Sequence, residues 1–502
     1  MKKRVIYCLF TVMILCLMSS VVLADSISDE KVTEIEDMIQ KNMDRFNVPG
    51  MSFVLVTEDD VILNKGYGVQ ELDSDHQVNA DTIMGLASVS KAFTSWGILK
   101  LRNEDKLELS DPVVKHLPWF ATKNKEKSDK IKIIHLLHHT SGFPRAAYGL
   151  EIENGTEDDL EEQIKKASQI KLYAEPGKDY QYSNINYWTL ALIIEKISGM
   201  KFADYMKSNF FEPLDMERTG YYKHISEMEN KSLGHRVRYA KPEVFDYHLP
   251  TQTNAAGGLY STANDMGNYL QALLNDGFYN ETEIISANSI EDAWYDIVKH
   301  NDKNGYGYGW FHHKWRGEMV IEHGGDNPNF TAHVYILPRK KVAFALLSNS
   351  QHTVTHKLAM NISDFIFDWD INPIKRTPTE ARAGLSRIIN YVAIGLCLIL
   401  LVWIFFAYRK VKQGSYVVFK KPGIVRMILQ AILIPVVGIV AAIYAFKLPS
   451  QMIGSLRIAM LYQGDLVSSV IRLGIIFLIF TLFTGFMAFV GKPKDSDHDL
   501  TA

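Results

Sequence analysis

The distribution of hydrophobic residues divides the chain into a mixed, largely polar body and two strongly apolar ends. In the body, residues 51–56 and 61–67 are β-rich, and the polar Thr57-Glu58-Asp59-Asp60 between them predicts a hairpin. Three further β-rich runs lie near the end of the body, at residues 318–323, 330–337 and 342–348. Between the two groups, apolar residues recur mostly at helical spacing, as at 187–197 and 266–274. We therefore predict an α+β fold in which both ends of the body build one sheet around a helical insertion.

The first 24 residues have the pattern of a secretory signal peptide. Met1-Lys2-Lys3-Arg4 is basic, residues 5–17 are apolar, and Val22-Leu23-Ala24 resembles a cleavage site. An uncleaved N-terminal anchor is the alternative. Either interpretation places the body, residues 25–372, outside the cytoplasm.

Three long apolar runs near the C-terminus predict membrane spans at residues 388–408, 427–446 and 473–490. Each is about long enough to cross a hydrocarbon core of roughly 30 Å. The segment between the first two carries five basic residues, which the positive-inside rule places in the cytoplasm; these are Arg409, Lys410, Lys412, Lys420 and Lys421. The predicted protein is thus a multi-pass membrane protein with an extracytoplasmic body, a linker at 373–387 and a cytoplasmic tail at 491–502.

Composition excludes several classes of protein. The 502 residues include 54 basic and 57 acidic side chains, and no Lys/Arg run is interleaved with aromatics, so we expect no nucleic-acid partner. The three cysteines, Cys8, Cys16 and Cys397, all lie in the apolar stretches. A disulfide scaffold, a thiolate nucleophile and a cysteine metal site are therefore excluded for the body. The histidines carry no metal-binding motif, and we expect neither a metal nor another cofactor.

Ser88 and Lys91 form a Ser-x-x-Lys motif at the start of a helical apolar pattern. Three residues make about one helical turn, so the two side chains face the same way. A serine hydroxyl needs a base beside it to act as a nucleophile, and a lysine becomes a base when burial or a nearby cation lowers its pKa. Other matches, such as Ser28–Lys31 and Ser168–Lys171, lie in polar surroundings, which favours Ser88.

Two downstream motifs accompany Ser88. Tyr182-Ser183-Asn184 follows a Pro-Gly turn and precedes a helical pattern, and a phenol there could shuttle a proton between nucleophile and leaving group. His323-Gly324-Gly325 lies between two strand patterns, where glycines let backbone N–H groups approach a substrate. Lys303-Asn304-Gly305 is a rival to this motif, but it lies in a polar turn.

The order Ser-x-x-Lys, Tyr-x-Asn and His-x-Gly resembles the serine β-lactamases and penicillin-binding proteins, particularly their class C and D,D-peptidase-like branch. The resemblance covers roughly residues 35–370 and includes two further matching segments: Leu136-Leu137-His138-His139-Thr140-Ser141-Gly142 and Gly257-Gly258-Leu259-Tyr260-Ser261-Thr262. It implies a β-lactamase/transpeptidase-like body with an α domain packed on an antiparallel sheet. The activity implied is that of an S12-type serine hydrolase that forms an acyl-enzyme on a peptide or ester.

The resemblance also implies a set of site residues. Ser88 would be the acylated nucleophile, with Lys91 and Tyr182 as its proton-transfer partners. The backbone N–H groups of Ser88 and Asp326 would form the oxyanion hole. The residues expected to face the substrate are Asn184, His323, Gly324, Gly325 and Asn327. Histidine replaces the lysine that many β-lactamases carry in the third motif, which disfavours efficient β-lactam hydrolysis because histidine is largely neutral at pH 7.

The body, the three spans and the segment from His323 to Phe330 together resemble, more narrowly, the membrane-anchored prodrug-activating D-amino-acid peptidases of the colibactin-maturing kind. Gly85 departs from that group, which has a glutamate three residues before the nucleophile. The sequence leaves open an esterase, a non-catalytic penicillin-binding sensor, and self-association into a homodimer. Because one span suffices for an anchor, we also expect the three helices to support the hydrolase.

Overall fold

The computed structural model describes residues 27–145, 160–299, 301, 303–418, 421–453 and 456–493. The strands are β1 (Gly50–Thr57), β2 (Val61–Gly68), β3 (Met84–Gly85), β4 (Gly220–Tyr221), β5 (His235–Arg238), β6 (Lys241–Val244), β7 (Leu259–Ser261), β8 (Phe278–Tyr279), β9 (Thr282–Glu283), β10 (Val298–Lys299), β11 (Asn304–Tyr306), β12 (Phe311–Trp315), β13 (Glu318–Asp326), β14 (Thr331–Leu337) and β15 (Val342–Ser348). The helices of the body are α1 (Asp29–Phe46), α2 (Ser90–Asn103), α3 (Val113–His116), α4 (Lys125–Ser128), α5 (Ile133–Leu137), α6 (Leu160–Lys165), α7 (Asn184–Ser198), α8 (Phe202–Met206), α9 (Tyr222–Ile225), α10 (Asn254–Gly257), α11 (Ala263–Leu274), α12 (Ala287–Tyr295) and α13 (Val354–Ile366). They are followed by α14 (Pro378–Lys412), α15 (Ile424–Arg426), α16 (Ile434–Ile453) and α17 (Leu456–Phe486).

An eight-stranded antiparallel sheet in the described residues joins both ends of the body. Its strand order is β10-β11-β12-β13-β14-β15-β1-β2, so the N-terminal hairpin pairs with the last strand through β1 and β15. The predicted α+β fold is confirmed, and the five predicted strands are present. The sequence pattern did not reveal the short strands β10 to β12, because their residues alternate weakly and lie among polar turns.

Both faces of this sheet are buried, and the side chains of β1 alternate between the two cores that cover them. Val54 and Val56 join the core between the sheet and the helical domain, whereas Phe53 and Leu55 join a second core beneath α1 and α13. Successive side chains of a strand point to opposite faces. A strand buried on both sides therefore has a nearly continuous apolar sequence, as residues 51–56 do, with Ser52 as the one polar residue.

Three described helices are long and apolar enough to cross a membrane: Pro378–Lys412, Ile424–Pro449 and Ala459–Phe489. The first helix begins ten residues before the predicted span, because Thr377 and Glu380 form a capping box and Pro378 occupies the first turn. Much of the predicted linker 373–387 is therefore helical. The predicted signal peptide and nearly all of the predicted tail lie outside the described residues.

Candidate active site

Ser88 lies in a tight 3₁₀ turn, Ala87–Val89, between the short strand β3 and α2. Ala87 has φ 48°, a conformation that is strained for a residue with a side chain. The Ser90 hydroxyl holds the turn, since it donates to Ala87 O (2.6 Å) and accepts from Leu259 N–H (3.1 Å). The turn thereby presents the half-buried Ser88 at the start of a buried helix.

Lys91 lies one turn further along and is fully buried. Its Nζ is 3.3 Å from Ser88 Oγ and donates to Ala256 O at 2.6 Å. Burial lowers the pKa of Lys91 well below its usual value. A neutral amine in this position can accept the proton that a serine loses when it attacks a carbonyl.

Tyr182 packs over the same amine, with Lys91 Nζ 4.8 Å from the centre of its ring. Burial raises the pKa of Tyr182 far above its usual value, although a hydrogen bond to Ser88 works in the opposite direction. The phenol is therefore protonated at neutral pH and can donate its hydrogen to a reacting group. Sequence reasoning paired Tyr182 with Ser88 and Lys91, and the structure brings the three side chains together.

The ring of His139 packs against the ring of Tyr182, a contact that the sequence did not predict. Its ring centre lies 4.3 Å from that of Tyr182, and its Nδ1 accepts from Ser183 N–H (3.2 Å) and from the Asn186 amide (2.8 Å). Burial lowers the pKa of His139 well below its usual value, so the ring is neutral. His139 belongs to one of the segments that match the family, so the sequence could have marked it as a site residue. The motif alone does not predict which side chain His139 contacts.

His323 lies near Tyr182, with the two ring centres 6.3 Å apart, and is only 1% exposed. Tyr306 OH lies 3.3 Å from its Nε2, and its Nδ1 bonds the carbonyl of Gly324 at 2.8 Å. Burial lowers the pKa of His323 to about 3. We expected this side chain to face the substrate, but the structure places it as a neutral, buried group that does not line the cavity.

The backbone after His323 passes close to the nucleophile turn. A Cβ on Gly325 would lie 3.1 Å from Ser88 N and 2.2 Å from Leu86 O, so only glycine fits. A Cβ on Gly324 would instead meet the imidazole of His356 at 2.9 Å. Strand β13 therefore continues past the predicted strand end to Asp326 and lies alongside the turn of Ser88.

A cavity of about 800 Å³ opens at Ser88. Of the predicted site residues, Ser88, Asn184, Asp326 and Asn327 line it, whereas Lys91, Tyr182, His323, Gly324 and Gly325 do not. Asn184 is exposed at the start of α7, and the buried Asn327 donates to Gly257 O at 3.2 Å. The mouth of the site is thus polar, whereas Lys91 and His323 are buried.

Comparison with known proteins places this architecture in a family. Residues 35–365 match the protein family described as Beta-lactamase. The chain belongs to this family. It is accordingly a serine hydrolase related to the β-lactamases and penicillin-binding proteins, as the motif order predicted.

Three individual proteins show how far the similarity extends. The chain is 26% identical to Protein flp of Staphylococcus aureus (strain MRSA252) over 434 residues, 86% of this chain and 84% of that protein. It is 28% identical to Penicillin-binding protein 4* of Bacillus subtilis (strain 168), over 60% of this chain and 68% of that protein. The octameric penicillin-binding protein homologue from Pyrococcus abyssi superposes with a TM-score of 0.58 at 26% identity, over 71% of this chain and 81% of that one.

Proposed function

We propose that the protein is a membrane-anchored, extracytoplasmic serine peptidase that forms an acyl-enzyme on Ser88 and cleaves peptides containing a D-amino acid. One observation carries the proposal: the buried Lys91 amine lies 3.3 Å from Ser88 Oγ beneath the Tyr182 ring. The matched Beta-lactamase family and the relative named as a penicillin-binding protein support peptidase-type substrates.

In the proposed reaction, Ser88 Oγ attacks the substrate carbonyl and its proton passes to the neutral Lys91 amine. The N–H groups of Ser88 and Asp326 stabilise the oxyanion. The C–N bond then breaks, and the leaving amine takes a proton through the Tyr182 hydroxyl. Water attacks the resulting ester and releases the acid, with the proton transfers reversed. Asn184 and Asn327 bind the substrate's amide groups at the mouth of the site.

The third motif supports a peptidase over a β-lactamase. His323 is buried and neutral, so this position supplies no fixed positive charge for a substrate carboxylate. The narrower proposal, removal of an acylated D-amino acid, draws on the segment from His323 to Phe330 and on the three helices. Gly85 remains a departure, and a Cβ there would already lie 3.1 Å from the Phe330 ring, which leaves little room for a glutamate.

We propose that the body lies outside the cytoplasm, because the basic segment after the first membrane helix and the signal-peptide pattern both require that orientation. The relative from Pyrococcus abyssi is described as octameric, which supports self-association. Cysteine accessibility in intact cells, with single cysteines placed in the body and in the 409–421 segment, tests the orientation.

A matched substrate panel tests the activity. Full-length protein in detergent is assayed on acetyl-D-alanine p-nitroanilide, its L enantiomer, the corresponding N-acyl-D-asparagine anilide and the p-nitrophenyl ester of acetyl-D-alanine. Turnover of D-anilides at least tenfold above the L-anilide, lost in Ser88→Ala, supports the proposal. Turnover of the ester alone, or no preference for the D enantiomer, contradicts it.

A further inference from the structure

The membrane helices extend well beyond the apolar runs that span the membrane. Helix α14 begins at Pro378 and α17 at Leu456, whereas the apolar runs begin at residues 388 and 473. At 1.5 Å per residue, the additional turns measure roughly 15 Å and 25 Å. These turns, residues 378–387 and 456–472, pack against the hydrolase body and are called the stalk below.

A kink brings the stalk to the cavity. Gln463 has φ −139° and ψ 37°, which interrupts the helical hydrogen bonds of α17. The carbonyl of Tyr462 accepts instead from Arg382 Nη1 (2.9 Å) and from the Gln351 amide of the body (3.2 Å). The Tyr462 hydroxyl donates to Asp326 O at 3.4 Å, directly beside the nucleophile turn. The stalk is therefore bonded to the end of β13.

A buried ion pair fixes the two stalk helices to each other and to the body. Arg382 Nε lies 3.1 Å from Asp465 Oδ1, with the two side chains 16% and 1% exposed. Asp465 also accepts from Tyr239 N–H (3.3 Å), and Arg382 Nη2 donates to Val237 O (3.2 Å). Both backbone groups belong to the β5–β6 hairpin. Removal of either partner would leave a buried charge without its counterion, which is strongly destabilising.

The stalk lines one side of the cavity whose other side holds Ser88 and Asn184. Its lining residues are Thr379, Arg382, Leu461, Tyr462 and Gln463, all outside the family match at residues 35–365. The body adds Gln351 and Thr353 beside them. Amides and hydroxyls are the groups that pair with a peptide backbone. The volume of about 800 Å³ lies toward the upper end of the usual range for ligand sites, roughly 300–1,000 Å³.

We propose that the stalk is a substrate-binding wall, which holds the part of a peptide substrate that extends beyond the residues at the scissile bond. This proposal rests on the proposed function, which identifies the substrate as a peptide. Its consequence is a preference for extended peptides that originates outside the hydrolase domain.

Binding to an inactive form tests the wall separately from the chemistry. Isothermal titration of full-length Ser88→Ala in detergent compares acetyl-D-alanine amide with acetyl-Gly-Gly-Gly-D-alanine amide. We expect the longer peptide to bind at least tenfold more tightly, and this ratio to fall at least fivefold when Gln463→Ala or Leu461→Trp is added. Gln413→Ala, an exposed position at the far end of α14, is the matched control and should keep the ratio.

Equal affinity for the two peptides overturns the proposal of a substrate-binding wall. The proposal is also overturned if the affinity ratio in Gln463→Ala and Leu461→Trp equals that in Gln413→Ala. Absence of D-anilide turnover in the active protein, combined with an intact binding ratio, overturns the peptidase proposal and leaves the wall standing. Thermal unfolding of each variant, compared with Ser88→Ala alone, shows whether a lost ratio reflects misfolding.

Discussion

Burial determines the chemistry of Lys91 at the scale of the single residue. The side chain has no exposed surface, and its amine bonds only neutral oxygen atoms in the contacts described above. Desolvation disfavours the ammonium form and lowers the pKa of Lys91 well below its usual value, which favours the free amine that can act as a base. A methionine of similar length would fill the same space without supplying a base.

Lys91→Met should therefore lower kcat/KM by roughly 10² or more, the scale of general acid–base catalysis. The melting temperature should stay within a few degrees of wild type, because methionine fills the same space and only two neutral oxygens, Ala256 O and Ser88 Oγ, lose a hydrogen bond. Steady-state kinetics and thermal unfolding check the two expectations. Retained turnover would place the base elsewhere.

Tyr182→Phe isolates the hydroxyl from the ring. The ring contacts to His139 and Lys91 remain, whereas the proton that the raised pKa keeps on the phenol is lost. We expect a loss of roughly 10²-fold in kcat on an amide. A smaller loss is expected on a p-nitrophenyl ester, whose leaving group needs no proton. An equal loss on both substrates would argue against proton donation to the leaving group.

At the scale of the residue, the sequence placed Ser88 and Lys91 one helical turn apart and paired them with Tyr182, and the structure brings the three side chains together. Their catalytic roles stay a prediction. The sequence did not predict that His323 is buried, because the direction of its side chain depends on the pairing of β13 with β14 and on the contact with Tyr306. It also missed His139, because its contacts join segments more than 40 residues apart.

At the scale of the element, the backbone of strand β13 lies against the turn that holds Ser88. Gly325→Ala would place a methyl group 2.2 Å from Leu86 O and push the strand away from Ser88. We expect kcat to fall at least 10²-fold together with a lower melting temperature. Gly395→Ala, which adds the same methyl where nothing lies within 4 Å, should change neither. Activity in Gly325→Ala near wild type would contradict the predicted close approach.

His356 of α13 holds the end of β13 through Asp326, with Nε2 2.9 Å from the carboxylate. Although burial lowers it, the negative charge of Asp326 and then of Glu322 raises the pKa of His356 above its usual value. His333 also faces it, with Nδ1 2.7 Å from His356 Nδ1. A histidine whose pKa is raised on folding stabilises the protein fully below its unfolded pKa of about 6.5 and less as pH rises through the folded value.

The melting temperature of wild type should therefore exceed that of His356→Gln more at pH 6 than at pH 9. Differential scanning fluorimetry across this range, with the two proteins in identical detergent, measures the difference. A gap that is constant with pH, or that widens at high pH, would show that His356 does not bind Asp326 as an imidazolium.

At the scale of the whole molecule, the stalk joins the hydrolase to the three long apolar helices, and the Arg382–Asp465 pair links its two segments. The sequence predicted the long apolar helices but not the stalk, because the apolar runs begin only after Arg387 and Arg472. The sequence also did not predict the kink at Gln463, because the kink depends on hydrogen bonds among three separate segments. These segments contain Gln351, Arg382 and Tyr462.

Asp465→Asn should weaken the whole assembly, because it leaves the Arg382 guanidinium without its charge partner. Breaking a buried pair in this way costs about 3–5 kcal/mol. The double variant Arg382→Met/Asp465→Leu, which removes both charges, should recover much of the stability. Thermal unfolding of the full-length protein in detergent measures both. A single variant as stable as wild type would show that the pair does not hold the stalk.

Formation of a covalent bond at Ser88 is the central step of the proposed reaction. Intact-mass spectrometry of the full-length protein after treatment with a fluorophosphonate measures it, with peptide mapping to locate the label. We predict a single adduct on Ser88 in wild type, none in Ser88→Ala, and labelling slowed by at least roughly 10²-fold in Lys91→Met. An adduct of equal yield in Ser88→Ala, or one mapped to another residue, would contradict the account.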